Sequence, residues 1–103
     1  MIGYCNGGMC RDKDAQPHIG ELYAIYVNPT YQGLGIGSIL MKKCLKHLKD
    51  LGCTKVTLWV LETNTKTRKW YETKGWELEG TRKSEPREGF NLNEIRNEFK
   101  LNH

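Results

Sequence analysis

Gln32-Gly33-Leu34-Gly35-Ile36-Gly37-Ser38 places three glycines at alternate positions just ahead of a helical pattern. Without a Cβ in the way, backbone at such glycines can approach a ligand closely, and the unpaired N–H groups and dipole of the helix's first turn favour negative charge. The chemistry predicted is anion binding, a phosphate or diphosphate above all. Two common phosphate motifs fail here. The spacing after Gly37 is not that of a dinucleotide fingerprint, and no Gly-Lys-Ser/Thr closes the loop as a P-loop, which argues against a nucleotide-phosphate enzyme binding ATP or NAD.

Other residue types capable of chemistry are few. Tyr71 offers a donor hydroxyl that suits a general acid, with a buried tyrosine holding one hydrogen bond as the plainer alternative. Glu21, eleven residues before Gln32, reads from its position alone as an exposed carboxylate at the start of a strand. Asn64 precedes a short helix and either caps it or orients a ligand or water. Cys5, Cys10, Cys44 and Cys53 form no Cys-x-x-Cys pair and no His-x-x-x-His accompanies them, so free thiols are expected and no metal site.

The elements that must position these groups follow from hydrophobic pattern. Leu22 to Val27 is apolar on both faces and reads as a strand covered on both sides, broken at Asn28-Pro29. At 100° per residue, Ile36, Leu40, Met41, Cys44, Leu48 and Leu51 share one arc of a helix from about Gly35 to Leu51. Leu45 stands at the margin of that arc, the lysines lie opposite, and Ile39 alone falls on the wrong side. His47, at the edge of the arc, is a partly exposed structural histidine. Gly52 stops the helix, and Val56 to Leu61 completes a strand-helix-strand crossover with parallel strands. Ahead of this unit, Met1 to Cys5 reads as a strand, with a turn at Asn6-Gly7-Gly8 and a possible hairpin return at Met9-Cys10. Behind it come a short helix from Thr65 to Lys74, a strand from Trp76 to Arg82, a charged Pro-broken segment from Lys83 to Gly89, and Glu94 to Leu101, whose alternation of Ile95, Asn97, Phe99 and Leu101 reads as a last strand or else as a helical turn.

The whole chain has 103 residues, enough for one domain over residues 1–103 and one core. A net charge of +4, from 16 Lys+Arg and 12 Asp+Glu dispersed along the sequence, suits an anionic ligand and lacks the concentrated basic face expected of a nucleic-acid binder. With no secretory h-region and no apolar run of membrane length, a cytoplasmic chain with reduced cysteines is expected.

Gln32-x-x-Gly35-x-Gly37 directly after a strand resembles the signature of the GNAT family of N-acetyltransferases. A second block, Asn64-x-x-Thr67-x-x-Trp70-Tyr71-x-x-x-Gly75-Trp76, is similar to that family's Asn…Ala…Phe-Tyr…Gly-Phe pattern, departing from it at Thr67. The resemblance covers nearly the whole chain and implies an α/β fold with a mixed sheet, the GNAT-like acyl-CoA N-acyltransferase fold. It further implies acetyl-CoA as cosubstrate and a primary amine of a small molecule or peptide as acceptor. The family's loop cradles the diphosphate, which would use Gln32, Gly33, Leu34, Gly35, Ile36, Gly37 and Ser38. Its strand splays from the next, often through a bulge, so that Ile25, Tyr26 and Val27 would meet the pantetheine arm and polarise the acetyl oxygen, with Asn64 nearby. Tyr71 would serve the leaving sulfur, and Glu21 matches the base of some members. Family members usually begin with a further strand and two helices absent from this sequence, which implies an N-terminally truncated or unusually short member, or one whose missing surface a second copy supplies. The exposed edge left by the missing strand predicts a homodimer. The alternative function is a CoA-binding remnant acting as a non-catalytic module.

Overall fold

Two glycines in left-handed conformation, Gly35 at φ 78° and Gly52 at φ 95°, bracket the first helix, α1 (Ile36–Asp50). Only glycine adopts that conformation at little cost. The structure, a computed structural model, describes residues 1–101. Around α1 stand strands β1 (Gly3–Met9), β2 (Ile19–Val27) and β3 (Lys55–Leu61). Helix α2 (Thr65–Thr73), closed by Gly75 at φ 96°, and the hairpin of β4 (Glu77–Arg87) and β5 (Phe90–Lys100) complete the chain. The five strands form one mixed sheet in the order β1-β2-β3-β5-β4, with β2 and β3 parallel and the other pairs antiparallel. This is the mixed α/β fold, with its central crossover, that the sequence predicts.

α1 lays Met41, Cys44, Leu45 and Leu48 on the sheet, where they meet Leu22, Val56, Leu58, Val60 and Ile95 in a single core that Tyr71 and Trp76 extend. Ile39, the outlier of the helical arc, is 54% exposed. Leu51, assigned to the apolar arc, is also exposed because it is the C-cap, where the chain leaves the helix. His47 is exposed.

Three expectations are corrected. No turn interrupts Asn6-Gly7-Gly8, since β1 runs through it to Met9. A Cβ on Gly7 would lie 2.8 Å from the Cys44 sulfur, so glycine here permits close approach of α1 to the strand and does not mark a turn. β4 does not stop at Arg82 but continues through Pro86, which a sheet edge tolerates because a proline there costs no inward ladder bond. β2 is covered on one face only beyond Leu22: Tyr23, Ala24 and Tyr26 are exposed, because both helices pack on the other side. Tyrosine tolerates this position, having an apolar ring and a hydroxyl that water can reach.

Candidate functional site

β2 and β3 pair over only three positions, Ile19 with Lys55, Gly20 with Val56 and Glu21 with Thr57, although both strands run on. Past that point they diverge, so among the described residues no ladder pair closes the space between them. A bulge accompanies the divergence. Asn6 pairs with Ala24 and Gly7 with Leu22, which leaves Tyr23 as the extra residue on β2. Such a bulge increases local twist and turns a strand away from its neighbour.

On the helix side this fork opens into a cleft of about 1010 Å³. Its lining includes Ile25 and Val27 of β2, the loop and helix start at Gln32, Gly33, Gly35, Ile36, Gly37 and Ser38, and Asn64 and Tyr71 of the α2 segment. Ten of the expected residues therefore lie together. Leu34, 67% exposed, and Tyr26, which stacks on Tyr4 with ring centres 5.7 Å apart, are not in the lining.

The loop is shaped by local hydrogen bonds. The Asn28 side chain accepts from Thr30 N–H at 3.0 Å, fixing a single 3-10 turn (Pro29–Tyr31), and the Gln32 amide donates to the Val27 carbonyl at 3.2 Å. Added Cβ atoms at Gly33 and Gly35 would meet nothing within 4 Å, so these glycines are required by their positive φ and leave open space above the backbone. At Gly37 a Cβ would lie 3.2 Å from the Trp70 ring, the point at which α1 and α2 approach. Asn64 caps α2, accepting from Thr67 N–H at 3.4 Å, and lines the cleft as well.

Tyr71 is buried between Trp70 and Trp76, whose rings stand edge-on at 5.3 and 5.9 Å. Burial pushes its hydroxyl up to about 12, with Cys5 adding a smaller effect in the same direction. No buried side-chain polar atom lacks a partner among the described residues, and the Tyr71 hydroxyl donates to none of them, so it opens into the cleft that it lines. The Cys5 thiol, hydrogen-bonded to Cys44 and partly buried, is held well above the usual thiol range.

Glu21 lies elsewhere. Its neighbour Gly20 faces the Cys53 sulfur and Leu48, so strand alternation turns the Glu21 side chain to the sheet face without helices, at the last β2–β3 pair. It is not an exposed strand-end residue: it is buried and accepts from Arg11 N–H and Arg11 Nη2, both at 3.0 Å. Cys10, Asp12 and Glu21 bring donor atoms within 4.8 Å of one another. Both carboxylates in this group already have protein partners, Asp12 accepting from Trp59 Nε1 at 3.0 Å and Arg96 Nη1 at 3.0 Å.

Two sets of residues escape a reading of the sequence. Lys66, Lys69 and Lys74 rim the cleft from α2, where charges on a short helix read as a solvated face. Arg96 gathers Asp12, Asp14, Glu79 and Thr81 around one guanidinium, across sequence separations of up to 84 residues that no local pattern reveals.

Comparison with known proteins agrees with this geometry. The model of the acetyltransferase (GNAT) family matches residues 1–76. The mycothiol acetyltransferase of Thermobifida fusca is 40% identical over 65 residues, covering 63% of this chain and 20% of the relative. Among solved structures, yncA of Salmonella typhimurium, determined with acetyl-CoA, superposes with a TM-score of 0.80 at 19% identity, covering 99% of this chain and 59% of that one. The ribosomal-protein-S18-alanine N-acetyltransferase of Escherichia coli gives 0.69 at 22% identity, covering 86% and 58%. The chain spans about a fifth of the length of the curated relatives it matches. With a family model matched over most of its length and the fold of solved acetyltransferases, the chain belongs to the GNAT acetyltransferase family.

Proposed function

We propose that the chain transfers an acetyl group from acetyl-CoA to a primary amine of a small molecule or peptide. The observation that carries this reading is the fork between β2 and β3 opening into the glycine-lined cleft, because it lines up an anion cradle, a thioester channel and a buried hydroxyl donor. Acetyl-CoA fits what is there. The open space above Gly33 and Gly35 admits phosphate oxygens to backbone N–H groups, and Lys66, Lys69 and Lys74 supply positive charge on the facing wall.

When bound, the cosubstrate supplies an activated acetyl thioester. Gln32, Gly33, Leu34, Gly35, Ile36, Gly37 and Ser38 hold the diphosphate, Leu34 through its backbone alone. The β2 edge at Ile25, Tyr26 and Val27 supplies main-chain groups for the pantetheine arm and the acetyl oxygen. As the amine nitrogen bonds to the carbonyl carbon and the carbon–sulfur bond breaks, Tyr71 donates a proton to the departing sulfur and Glu21 receives one from the amine. Asn64, besides capping α2, keeps its amide nitrogen for the pantetheine arm.

A direct test mixes the protein with acetyl-CoA, a panel of amines and a thiol reagent. Amine-dependent thiol release is expected. Binding of acetyl-CoA without such release would favour the second reading, a CoA-binding module without catalysis, which the uncovered sheet face beyond Glu21 supports. We further propose that a second copy pairs along the open edge of β1, and that the chain works in a reducing, cytoplasmic setting.

A further inference from the structure

On the sheet face away from the helices, an arginine side chain stands where an incoming cation would. Arg11 donates to Glu21 through its backbone N–H and through Nη2, each at 3.0 Å, and its guanidinium carbon lies 3.9 Å above the centre of the Tyr23 ring. The Arg11 side chain is 65% exposed and the Glu21 side chain 4%, so an exposed cation lids a buried carboxylate. The other groups facing Glu21 are not exchangeable in this way. Asp12 is pinned by Trp59 and Arg96, and the Thr57 hydroxyl and Cys10 thiol, which lie 3.6 Å apart, are neutral. Past Tyr23 on the same face, Tyr26 and Tyr4 stack and are 43% and 41% exposed, which leaves an apolar strip running from the carboxylate.

We propose that Arg11 is a built-in competitor for the acceptor's ammonium: a primary ammonium on a hydrocarbon body displaces the guanidinium from Glu21 and Tyr23, and its body lies along Tyr26 and Tyr4. The proposal rests on the acetyltransferase reading, in which Glu21 takes the amine's proton and so puts the amine on this face. The exchange is feasible because the guanidinium, unlike the carboxylate it covers, is largely exposed, and a primary ammonium matches its charge over the aromatic face. Asp12, beside the seat, selects for simple amines over zwitterions, whose carboxylate it would repel. Displacement also frees the Glu21 carboxylate to accept the ammonium's proton.

The test uses 2-phenylethylamine with Arg11→Gln and Arg11→Lys. Gln removes the charge and keeps the backbone donor to Glu21, and urea unfolding of the variant checks that the fold is kept. Removing an internal competitor raises the population of the binding-competent state, and KM for the amine is expected to fall about tenfold in Arg11→Gln. Arg11→Lys, which restores a cation, returns it toward the wild-type value. An unchanged or higher KM in Arg11→Gln would overturn the proposal while leaving acetyl transfer standing. A second readout needs no acetyl-CoA. Titrating the amine into wild-type protein should move the Arg11 side-chain nitrogen signals toward those of free arginine, and should leave them unmoved in Glu21→Gln. Signals that stay put in the wild type refute the seat, whereas failure to bind acetyl-CoA by calorimetry refutes the acetyltransferase reading instead.

Discussion

Tyr71 keeps its proton at any pH near neutrality, because burial between two tryptophans raises its hydroxyl to about 12 from an ordinary value of 10.0. A group in that state can donate but cannot act as a base. Tyr71→Phe should therefore lower kcat about 10- to 100-fold while acetyl-CoA affinity stays within about twofold, as thiol release and calorimetry would measure. An unchanged kcat would leave the residue a packing role only. The same burial links stability to alkali. With the folded value above the unfolded one, the folded state holds a proton that the unfolded chain releases. The contribution is thus complete below pH 10 and is lost as pH rises through about 12, amounting to about 2–3 kcal/mol. Urea unfolding across that window should show the loss in the wild type and a smaller one in Tyr71→Phe.

A loop turns into a helix at one glycine, a strand meets that helix at another, and charge ties elements together at one arginine. Gly35 sits at φ 78° at the start of α1, and Gly35→Glu should abolish acetyl-CoA binding by adding strain, bulk and negative charge at the anion cradle. Retained affinity would move the diphosphate elsewhere. Gly7→Ala forces a Cβ against the Cys44 sulfur and the Glu21 carbonyl, and should cost about 1–3 kcal/mol in urea unfolding as β1 and α1 separate. Arg96 ties β5 to the bulge of β4 and to the segment bearing Asp12 and Asp14. Arg96→Met should destabilise by about 3 kcal/mol, since it leaves carboxylates without their buried partner. Arg96 also holds the Glu79 carboxyl at about 2, below its ordinary 4.5. That stabilisation is present above about pH 4.5 and fades as pH falls toward 2, so Arg96→Met should flatten this part of the acid-unfolding curve.

At the scale of the molecule, the sheet has two open edges of different character. β4 carries charges and Pro86, which discourage pairing with another strand, whereas β1, Gly-Tyr-Cys-Asn-Gly-Gly-Met, has neither charge nor proline. If β1 pairs with a second copy, sedimentation at micromolar concentration should give a dimer, and Asn6→Lys should shift it to monomer. A wild-type monomer would remove the pairing. No helix among the described residues is long and apolar enough to cross a membrane.

What the sequence by itself determined is whatever depends on neighbours along the chain: the glycine loop opening α1, the stops at Gly52 and Gly75, the crossover, and the Trp70-Tyr71 block beside the cleft. These are set by φ preferences, helical period and spacing, all local quantities. Tertiary structure decided the rest. Gly7 and Gly8 read as a turn until α1 packs over the first and the Tyr23 ring covers the second, and Tyr23 and Tyr26 read as core until both helices take the same side of the sheet. Glu21 and Arg11, or Arg96 and Asp12, meet only because the fold closes loops of very different length, and electrostatic contact at such separation leaves no period or spacing in the chain to read.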